Sequence, residues 1–349
     1  MKPVKIATLL ILMVIGTEMR SQDIHFSQFY MSPLNLNPAM TGVMNCKNRF
    51  IVNYRNQWAG VLKGNAFNTY SASYDQKTPL GREDYFGIGG TLWGDVAGAS
   101  RFGSTQGRLS LSYSKKMGGY RKKASYLVLG ADAGLTQRRI DPADLLWPAQ
   151  IKGGPPELIR NESFLYPDIA AGLLWFSIVD NHTNWYLGAA IHHLNQPSVS
   201  FLGNSTSVAT LYSKYTIHGG AQFEIAPKMS VLPFGVFMSQ GPHREFNAGA
   251  SLRFAMGPSR ISNQSFDIGL WYRLGVQDSS PDDTAKTSLH SDAVILASRF
   301  NYEHFGIGFS YDLNISKLAS ASPGNGSFEF SLTYDICGPE SRGVYCPRF

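Results

Sequence analysis

The chain has 349 residues and a formal net charge of +6. So small a basic surplus argues against nucleic acid or any other polyanion as a partner. Charged residues make up 16% of the chain, against about 25% in an ordinary soluble domain, while glycines number 35 and aromatic residues reach 13%. With a mean hydropathy of −0.14, the composition fits neither a disordered chain nor a helical membrane protein.

The N-terminus has the pattern of a secretory signal peptide. Lys2 and Lys5 precede an apolar run at 6–16, and a short polar stretch follows it. The run is too short for a transmembrane helix, which needs about 20 residues. We therefore assign residues 1–21 as a signal peptide. Export, low charge and abundant aromatic residues and glycines together favour an outer-membrane β-barrel, although a secreted β-sandwich shares several of these features.

From residue 49 onward, apolar and polar residues alternate with a period of two, which predicts β-strands. Most segments have the ~9–11 residues that a tilted strand needs to cross a bilayer. We therefore expect an all-β fold: a closed antiparallel transmembrane barrel of about 14 strands over residues 49–337, followed by a periplasmic tail at 338–349. The predicted strands are 49–61, 66–76, 85–95, 104–116, 124–137, 166–178, 182–193, 210–225, 228–239, 243–255, 265–275, 291–301, 303–315 and 327–337.

The connections give an independent indication of a barrel. If the first strand runs outward from the periplasm, the long loops at 138–165, 194–209, 276–290 and 316–326 all lie outside the cell. Most connections on the opposite side are short. Long outer loops and short periplasmic turns are typical of outer-membrane barrels, whereas a soluble sandwich has no reason to sort its loops in this way.

The segment 22–48 is apolar but cannot build a core of its own. Prolines and asparagines interrupt it, and it has neither a helical nor a two-residue period. A fourteen-stranded barrel leaves a lumen that its own strands do not fill, so we expect this segment to plug the lumen or cap its periplasmic mouth. A disordered leader is the alternative. The candidate plug or partner-binding residues, extending into the first strand, are His25, Phe26, Gln28, Phe29, Pro33, Asn37, Pro38, Arg55 and Trp58.

The three cysteines of this exported chain predict one disulfide and one spare thiol. The first strand begins and the last strand ends at the periplasmic rim, where closure of the barrel makes them neighbours. We therefore expect Cys46 to pair with either Cys337 or Cys346. Three reduced, buried cysteines are the alternative.

A short motif, His193-Leu194-Asn195-Gln196-Pro197, follows the seventh predicted strand. It is interpreted either as an outer loop that contacts a partner or as a simple turn, since asparagine and proline favour turns. His192 and His193 are adjacent, so in a strand they face opposite sides and cannot bind one metal together.

The remaining polar residues point to no chemistry of their own. The inward-facing set is expected to line a wet lumen; it consists of Arg108, Glu245, Arg253, Asp267 and Arg273. The sequence contains none of the common hydrolase, zinc or nucleotide-binding motifs, so we expect no enzyme, no metal and no cofactor. A hydrolase with a scattered triad is the alternative.

Several motifs resemble the PorP/SprF family of outer-membrane proteins, which belong to the type IX secretion and gliding system. The resemblance covers nearly the whole mature chain and departs at Ile24, where a proline is expected. It implies a non-enzymatic barrel that helps deliver or retain exported surface proteins, notably adhesins, or that associates with periplasmic machine components. The motifs are His25-Phe26-Ser27-Gln28-Phe29, Pro33-Leu34, Leu36-Asn37-Pro38-Ala39, Gly42, Tyr54-Arg55-Asn56-Gln57-Trp58, His193-Leu194-Asn195-Gln196-Pro197 with Ser200-Phe201, His218-Gly219-Gly220 and Tyr311-Asp312-Leu313-Asn314-Ile315-Ser316.

We therefore expect a structural, partner-binding component of this machinery in the outer membrane. Its partners are membrane lipid, machine components and an exported surface protein or adhesin, with no nucleic acid. A passive or ligand-selective outer-membrane channel is the alternative function.

Overall fold

In the computed structural model, the fourteen described strands close into one antiparallel barrel in which each strand pairs with its sequence neighbours and β1 pairs with β14. This confirms the predicted fold class. The structure describes residues 23–119, 123–143, 145, 148–151, 153–155, 162–180, 183–201, 209–257, 264–278, 287–320 and 324–337. The strands are β1 Asn48–Gln57, β2 Phe67–Leu80, β3 Asp84–Ala97, β4 Phe102–Gly118, β5 Ala124–Arg139, β6 Ser163–Ile178, β7 Asn184–His192, β8 Lys214–Ala226, β9 Met229–Gln240, β10 His243–Ala255, β11 Ser265–Asp278, β12 Thr287–Tyr302, β13 Phe305–Asn314 and β14 Asn325–Ile336.

The alternation of the sequence sorts the side chains between the two faces of the wall. Large apolar residues point outward and stay exposed, as Leu92, Leu109 and Leu129 do at 65%, 75% and 57%. Their neighbours point inward and are mostly buried polar residues, such as Gln106 and Ser110. An apolar outer band with a polar interior is the arrangement of a barrel that spans lipid. Within the described ranges, no helix is long and apolar enough to cross a membrane.

Several strand boundaries differ from the predictions; among them, β2 continues to Leu80 and β8 begins only at Lys214. β1 ends at Gln57 rather than at 61, because Trp58 adopts a left-handed backbone with φ 59° and short helical turns follow at Ala59–Leu62 and Lys63–Asn65. The predicted loop 276–290 is shorter than expected, because β11 continues to Asp278 and β12 begins at Thr287.

The connections are sorted between the two ends of the barrel. We call one end the long-loop rim, since it carries the connections at 140–162, with a helical turn at Pro148–Ile151, and at 193–213. The connection from β13 to β14, with a 3-10 turn at Lys317–Ser320, lies at the same rim. We call the other end the short-turn rim; its tight connections include 227–228 and 303–304.

Residues 23–47, which we call the lumen segment, lie inside the barrel. Three short turns shape the segment: Phe29–Met31, Pro33–Leu36 and Pro38–Met40. A proline begins each of the last two turns, where its fixed φ and missing N–H cost nothing. Almost every side chain from Phe26 to Met44 is buried. The apolar core of the protein is therefore built between this segment and the inner face of the wall.

The lumen segment also explains why two strands are apolar on both faces. Leu174 and Phe176 of β6 point inward, as does Tyr186 of β7, and all three belong to the apolar cluster around the segment. Because these strands face lipid on one side and the buried segment on the other, neither of their faces is in contact with water.

Candidate functional site in the barrel lumen

The lumen segment runs along the barrel from one rim to the other. At its first residue, the Asp23 amide donates a hydrogen bond to the side chain of Gln240, the last residue of β9 at the long-loop rim. At its far end, Lys47 donates its amide to the carbonyl of Ile336, where β14 ends at the short-turn rim. The contacts between these two points define the candidate functional site.

An ionic cluster holds the first residue of the segment. Oδ2 of Asp23 lies 3.4 Å from Nζ of Lys214 and 3.4 Å from Nε2 of His193. Although burial opposes its charge, the Lys214 ammonium helps to hold the pKa of Asp23 well below its usual value. We call Asp23, Lys214, His193 and Asp168 the rim clasp.

His193 is bound on both sides within the rim clasp. Its Nδ1 lies 2.9 Å from Oδ1 of Asp168, while its Nε2 faces Asp23. Although burial disfavours the charged ring, the hydrogen bond to Asp168 and the nearby Asp23 carboxylate raise the pKa of His193 to about 9. The imidazolium form therefore bridges two carboxylates at neutral pH.

One carboxylate of the wall binds the main chain of the segment. Glu329 of β14 accepts hydrogen bonds from the amides of Ser27 (2.6 Å) and Gln28 (2.9 Å). Because the donors are two consecutive backbone amides, the contact recognises the main chain of a turn rather than a particular side chain. Hydrogen bonds to a charged acceptor are stronger than neutral ones.

The side chain of Ser27 lies in a charged cluster of its own. Its hydroxyl donates to Asp312 at 2.7 Å and accepts from Arg55 and Arg273 at 2.8 and 2.9 Å. Arg55 also bonds Glu329, and Arg273 lies 2.8 Å from Asp312. The opposite charges compensate one another, which buried ions require.

Polar contacts continue along the middle of the segment. Asn37 Nδ2 lies 3.0 Å from the carbonyl of Leu173 and 3.0 Å from Nε2 of His218, while its Oδ1 accepts from the Ala39 amide. Asn35 accepts a hydrogen bond from Arg108 at 2.9 Å. The side-chain amides thus make hydrogen bonds with wall groups that would otherwise bond to water in an empty lumen.

Glycines of the wall let the segment backbone approach closely. A Cβ atom at Gly130 would overlap the backbone at Ala39, and one at Gly87 would overlap the carbonyl of Thr41. Gly172 is similarly crowded by the side chain of Asn37. Any larger residue at these positions therefore displaces the segment.

Tyr30 supplies the main aromatic contact between segment and wall. Its ring lies between those of Phe234 and Trp271, with centroid distances of 5.3 and 5.4 Å and nearly parallel planes. Aromatic rings in contact attract one another, so these three rings stabilise the region by more than the burial of their apolar surface alone.

The short-turn end of the segment is held by charge and by a covalent bond. Arg49 bonds both carboxylate oxygens of Asp75, and Asp75 also accepts from the Gly42 amide. Cys46 and Cys337 form a disulfide, which joins the end of the segment to the end of β14. Cys346, the other candidate partner, lies outside the described residues.

At the long-loop rim, part of the 193–213 connection packs over the wall. Phe201 contacts Phe102 and Phe164, with centroid distances of 6.0 and 5.0 Å, and Arg138 lies over the ring of Phe102. These side chains cover the lumen above β4, β5 and β6.

The expectation that His192 and His193 face opposite sides is wrong. Both imidazoles are buried, because His193 takes a left-handed backbone with φ 57° and leaves the strand alternation at the end of β7. His192 Nε2 lies 3.3 Å from the carbonyl of Leu36. Among the described residues, no group of three or more His, Cys, Asp or Glu side chains could hold a metal ion.

The predicted candidates separate into two sets. Those brought together in or around the lumen are His25, Phe26, Gln28, Phe29, Pro33, Asn37, Pro38, Arg55 and His193. Trp58 lies apart at the long-loop rim, where its ring packs on Phe67. Asn195 and Gln196 are exposed, whereas Pro197 is buried. Asn195 joins the connection to β6, since its side chain donates to the carbonyl of Pro167 and accepts from the Ile169 amide. The turn itself is closed by the Gln196 amide, which donates to the carbonyl of His193.

The inward polar set contacts the segment rather than lining a purely wet lumen. Arg108 and Arg273 bond Asn35 and Ser27, and His25 lies 3.5 Å from Glu245. Arg253 and Asp267 instead bond each other across β10 and β11. Further site residues were not among the predicted candidates, although each has a charged or polar side chain on the inward face of a strand: Asp75, Asp168, Lys214, His218, Asp312 and Glu329. His218 and Asp312 also lie in motifs shared with the PorP/SprF family.

The fold and site together define a class of protein: an outer-membrane β-barrel whose lumen is occupied by its own N-terminal segment. Residues 18–334 match the family described as type IX secretion system membrane protein PorP/SprF. The chain belongs to this family, as its motifs indicated.

Comparison with other proteins adds likeness of fold alone. No curated protein matches the sequence. Among solved structures, CdiB from Escherichia coli is 8% identical with a TM-score of 0.45, covering 82% of this chain and 62% of its own. A deltaS2S3 mutant of the monoaromatic hydrocarbon channel TodX is 12% identical with a TM-score of 0.45, covering 87% and 94%. The toluene transporter TbuX from Ralstonia pickettii is 11% identical with a TM-score of 0.37, covering 87% and 93%. This chain thus spans less than two thirds of the CdiB chain.

Proposed function

We propose that this barrel is a non-enzymatic component of the type IX secretion or gliding machinery that binds exported surface proteins, adhesins among them, and components of the machine. In this proposal the long-loop rim faces the cell exterior and meets the exported protein. The short-turn rim faces the periplasm and meets the machine. Lipid-facing side chains hold the barrel in the outer membrane.

The observation that carries the proposal is the occupation of the lumen. The lumen segment contacts the inner wall from Asp23 to Cys46 and is anchored by buried charges and a disulfide. A barrel filled in this way favours a role in display and binding over the alternative, a passive or ligand-selective channel. Within the described part of the chain, the His193 ring faces the carboxylates of Asp168 and Asp23 rather than a hydroxyl, an arrangement that gives a serine hydrolase no support.

Crosslinking in living cells, followed by affinity purification and mass spectrometry, tests the proposal. We expect recovery of an exported surface protein or of periplasmic machine components with the full chain. A barrel of unrelated function, expressed at the same level, is the control. Recovery of neither class above that control contradicts the proposal.

Conductance in planar bilayers tests the channel alternative. The intact protein is expected to be closed, and deletion of residues 23–42 is expected to produce steady conductance. A steady open channel in the intact protein favours the alternative.

A further inference from the structure

The two halves of the lumen segment are held by different kinds of contact. Residues 33–46 form turns, lie against wall glycines and end at the disulfide. Residues 23–26 have no regular secondary structure, and Ser27 and Gln28 form a turn that leads into the 3-10 turn at Phe29–Met31. Their polar contacts are made largely with charged side chains of the wall. Side chains of both halves are buried, but only the second half is tied to the barrel by a covalent bond.

The contacts of residues 23–28 are those of a peptide-binding groove. Glu329 binds the main-chain amides of two consecutive residues, which any peptide that turns at this point presents on one side. Lys214 and His193 bind one carboxylate at the long-loop end, and a charged cluster binds a small hydroxyl group four residues later. Backbone contacts supply affinity and side-chain sites supply specificity in such recognition.

The space around this part of the segment is not fully packed. A cavity of about 30 Å³ lies beside Asp23, His25 and Lys214, and one of about 20 Å³ lies beneath Ile24 and Phe26. A larger cavity, of about 100 Å³, lies beside Met31, Pro33 and Cys46, so both parts of the segment leave some space in the lumen.

We propose that the half of the lumen next to the long-loop rim is a peptide-binding site, which residues 23–28 occupy in cis. Its ligand in trans is a segment of an exported protein, with a carboxylate side chain followed four residues later by a serine or threonine at which the chain turns. The ligand enters from the long-loop rim and displaces residues 23–28, while residues 33–46 stay in place. This inference rests on the proposed function and names the substrate chemistry of that site.

The test is binding of a labelled hexapeptide of sequence DIHFSQ to purified full-length protein, measured by fluorescence anisotropy. The double variant Asp23→Lys with Ser27→Ala weakens the binding of residues 23–28 to the site, because it places a lysine against Lys214 and removes the hydroxyl of Ser27. We expect this variant to bind the peptide at least tenfold more tightly than the wild type does. A scrambled peptide of the same composition is expected not to bind.

Two variants serve as controls. Glu162→Lys makes the same charge change at an exposed position and is expected to bind like the wild type. Lys214→Glu, added to the double variant, removes the carboxylate site and restores the ion pair in cis, so peptide binding should be lost. A folded double variant that binds no peptide, or that binds the scrambled peptide equally well, overturns the proposal.

If the double variant does not fold, hydrogen exchange on the wild type decides. Excess hexapeptide is expected to increase exchange in residues 23–28 and to leave residues 33–44 unchanged, and no difference refutes the site. Because these measurements use only the purified barrel, their failure is separate from a failure to recover machine components or exported proteins from cells.

Discussion

Asn37 and His218 lie 181 positions apart in the chain, and Nδ2 of the first lies 3.0 Å from Nε2 of the second. Asn37 Oδ1 accepts from the Ala39 amide, which fixes the orientation of the side-chain amide. Nδ2 therefore donates, and His218 must present an unprotonated nitrogen to it. Asn37 of the lumen segment thus fixes which ring nitrogen of His218, a residue of β8, is unprotonated.

Replacement of Asn37 by alanine is expected to lower the free energy of unfolding by about 1–3 kcal/mol, because buried wall groups lose their partner. Urea unfolding in detergent, followed by intrinsic fluorescence, measures the loss. Asn65→Ala, at an exposed residue of the first loop, is the matched control and should stay within about 0.5 kcal/mol of wild type. Equal loss in both variants contradicts a special role for Asn37.

Gly130→Ala is expected to destabilise the barrel by about 1–3 kcal/mol, since the added methyl group overlaps the backbone at Ala39. The same change at Gly118, which has no atom within 4 Å of the added carbon, is the control. Limited proteolysis should cut the lumen segment faster in the first variant only. If both variants resist protease like the wild type, the close contact does not hold the segment.

Stability is expected to fall as the pH rises from about 6.5 to 9. The pKa of His193 is raised to about 9 in the folded protein, while an unfolded histidine titrates near 6.5. The charged His193 therefore contributes up to about 3 kcal/mol to the free energy of unfolding. This contribution is complete below about pH 6.5 and is lost as the pH rises through about 9. Unfolding of the wild type and of His193→Gln at several pH values measures this contribution. The free energy of unfolding of the variant should depend less on pH between about 6.5 and 9.

Cys46→Ser is expected to lower the free energy of unfolding by about 2–5 kcal/mol, because the disulfide closes a loop of 291 residues. Peptide mapping of the wild type without reductant should recover Cys46 linked to Cys337 and a free thiol at Cys346. Cys346→Ser is the control and should leave stability unchanged. Recovery of Cys46 linked to Cys346 contradicts the prediction.

Strand periodicity was enough to predict the barrel, because successive side chains of a wall strand point alternately into lipid and into the lumen. The sequence therefore alternates between apolar and polar residues with a period of two, which is visible locally. The end of β1 at Trp58 was missed because a left-handed backbone at a tryptophan has no local signal. The inward turn of His193 was missed for the same reason.

The lumen contacts could be predicted only in outline. The prolines and aromatic residues of 22–48 indicated a segment that needs burial, but not which strands it touches. Ser27 meets Glu329 and Asp312 across sequence separations of 302 and 285 residues, and no local pattern encodes such pairs. A buried charge on a strand, such as Glu329, indicates that a partner exists without saying which residue it is.

Arg55 and Glu329 face each other directly across the strands that close the wall, and both contact Ser27. The first and last strands of the barrel thus bind the same residue, Ser27, from either side of the junction at which they pair. Pairing of β1 with β14 therefore brings together the two side chains that hold Ser27, and a bound Ser27 in turn holds the two strands in register. Closure of the wall and docking of the lumen segment are thus expected to stabilise each other.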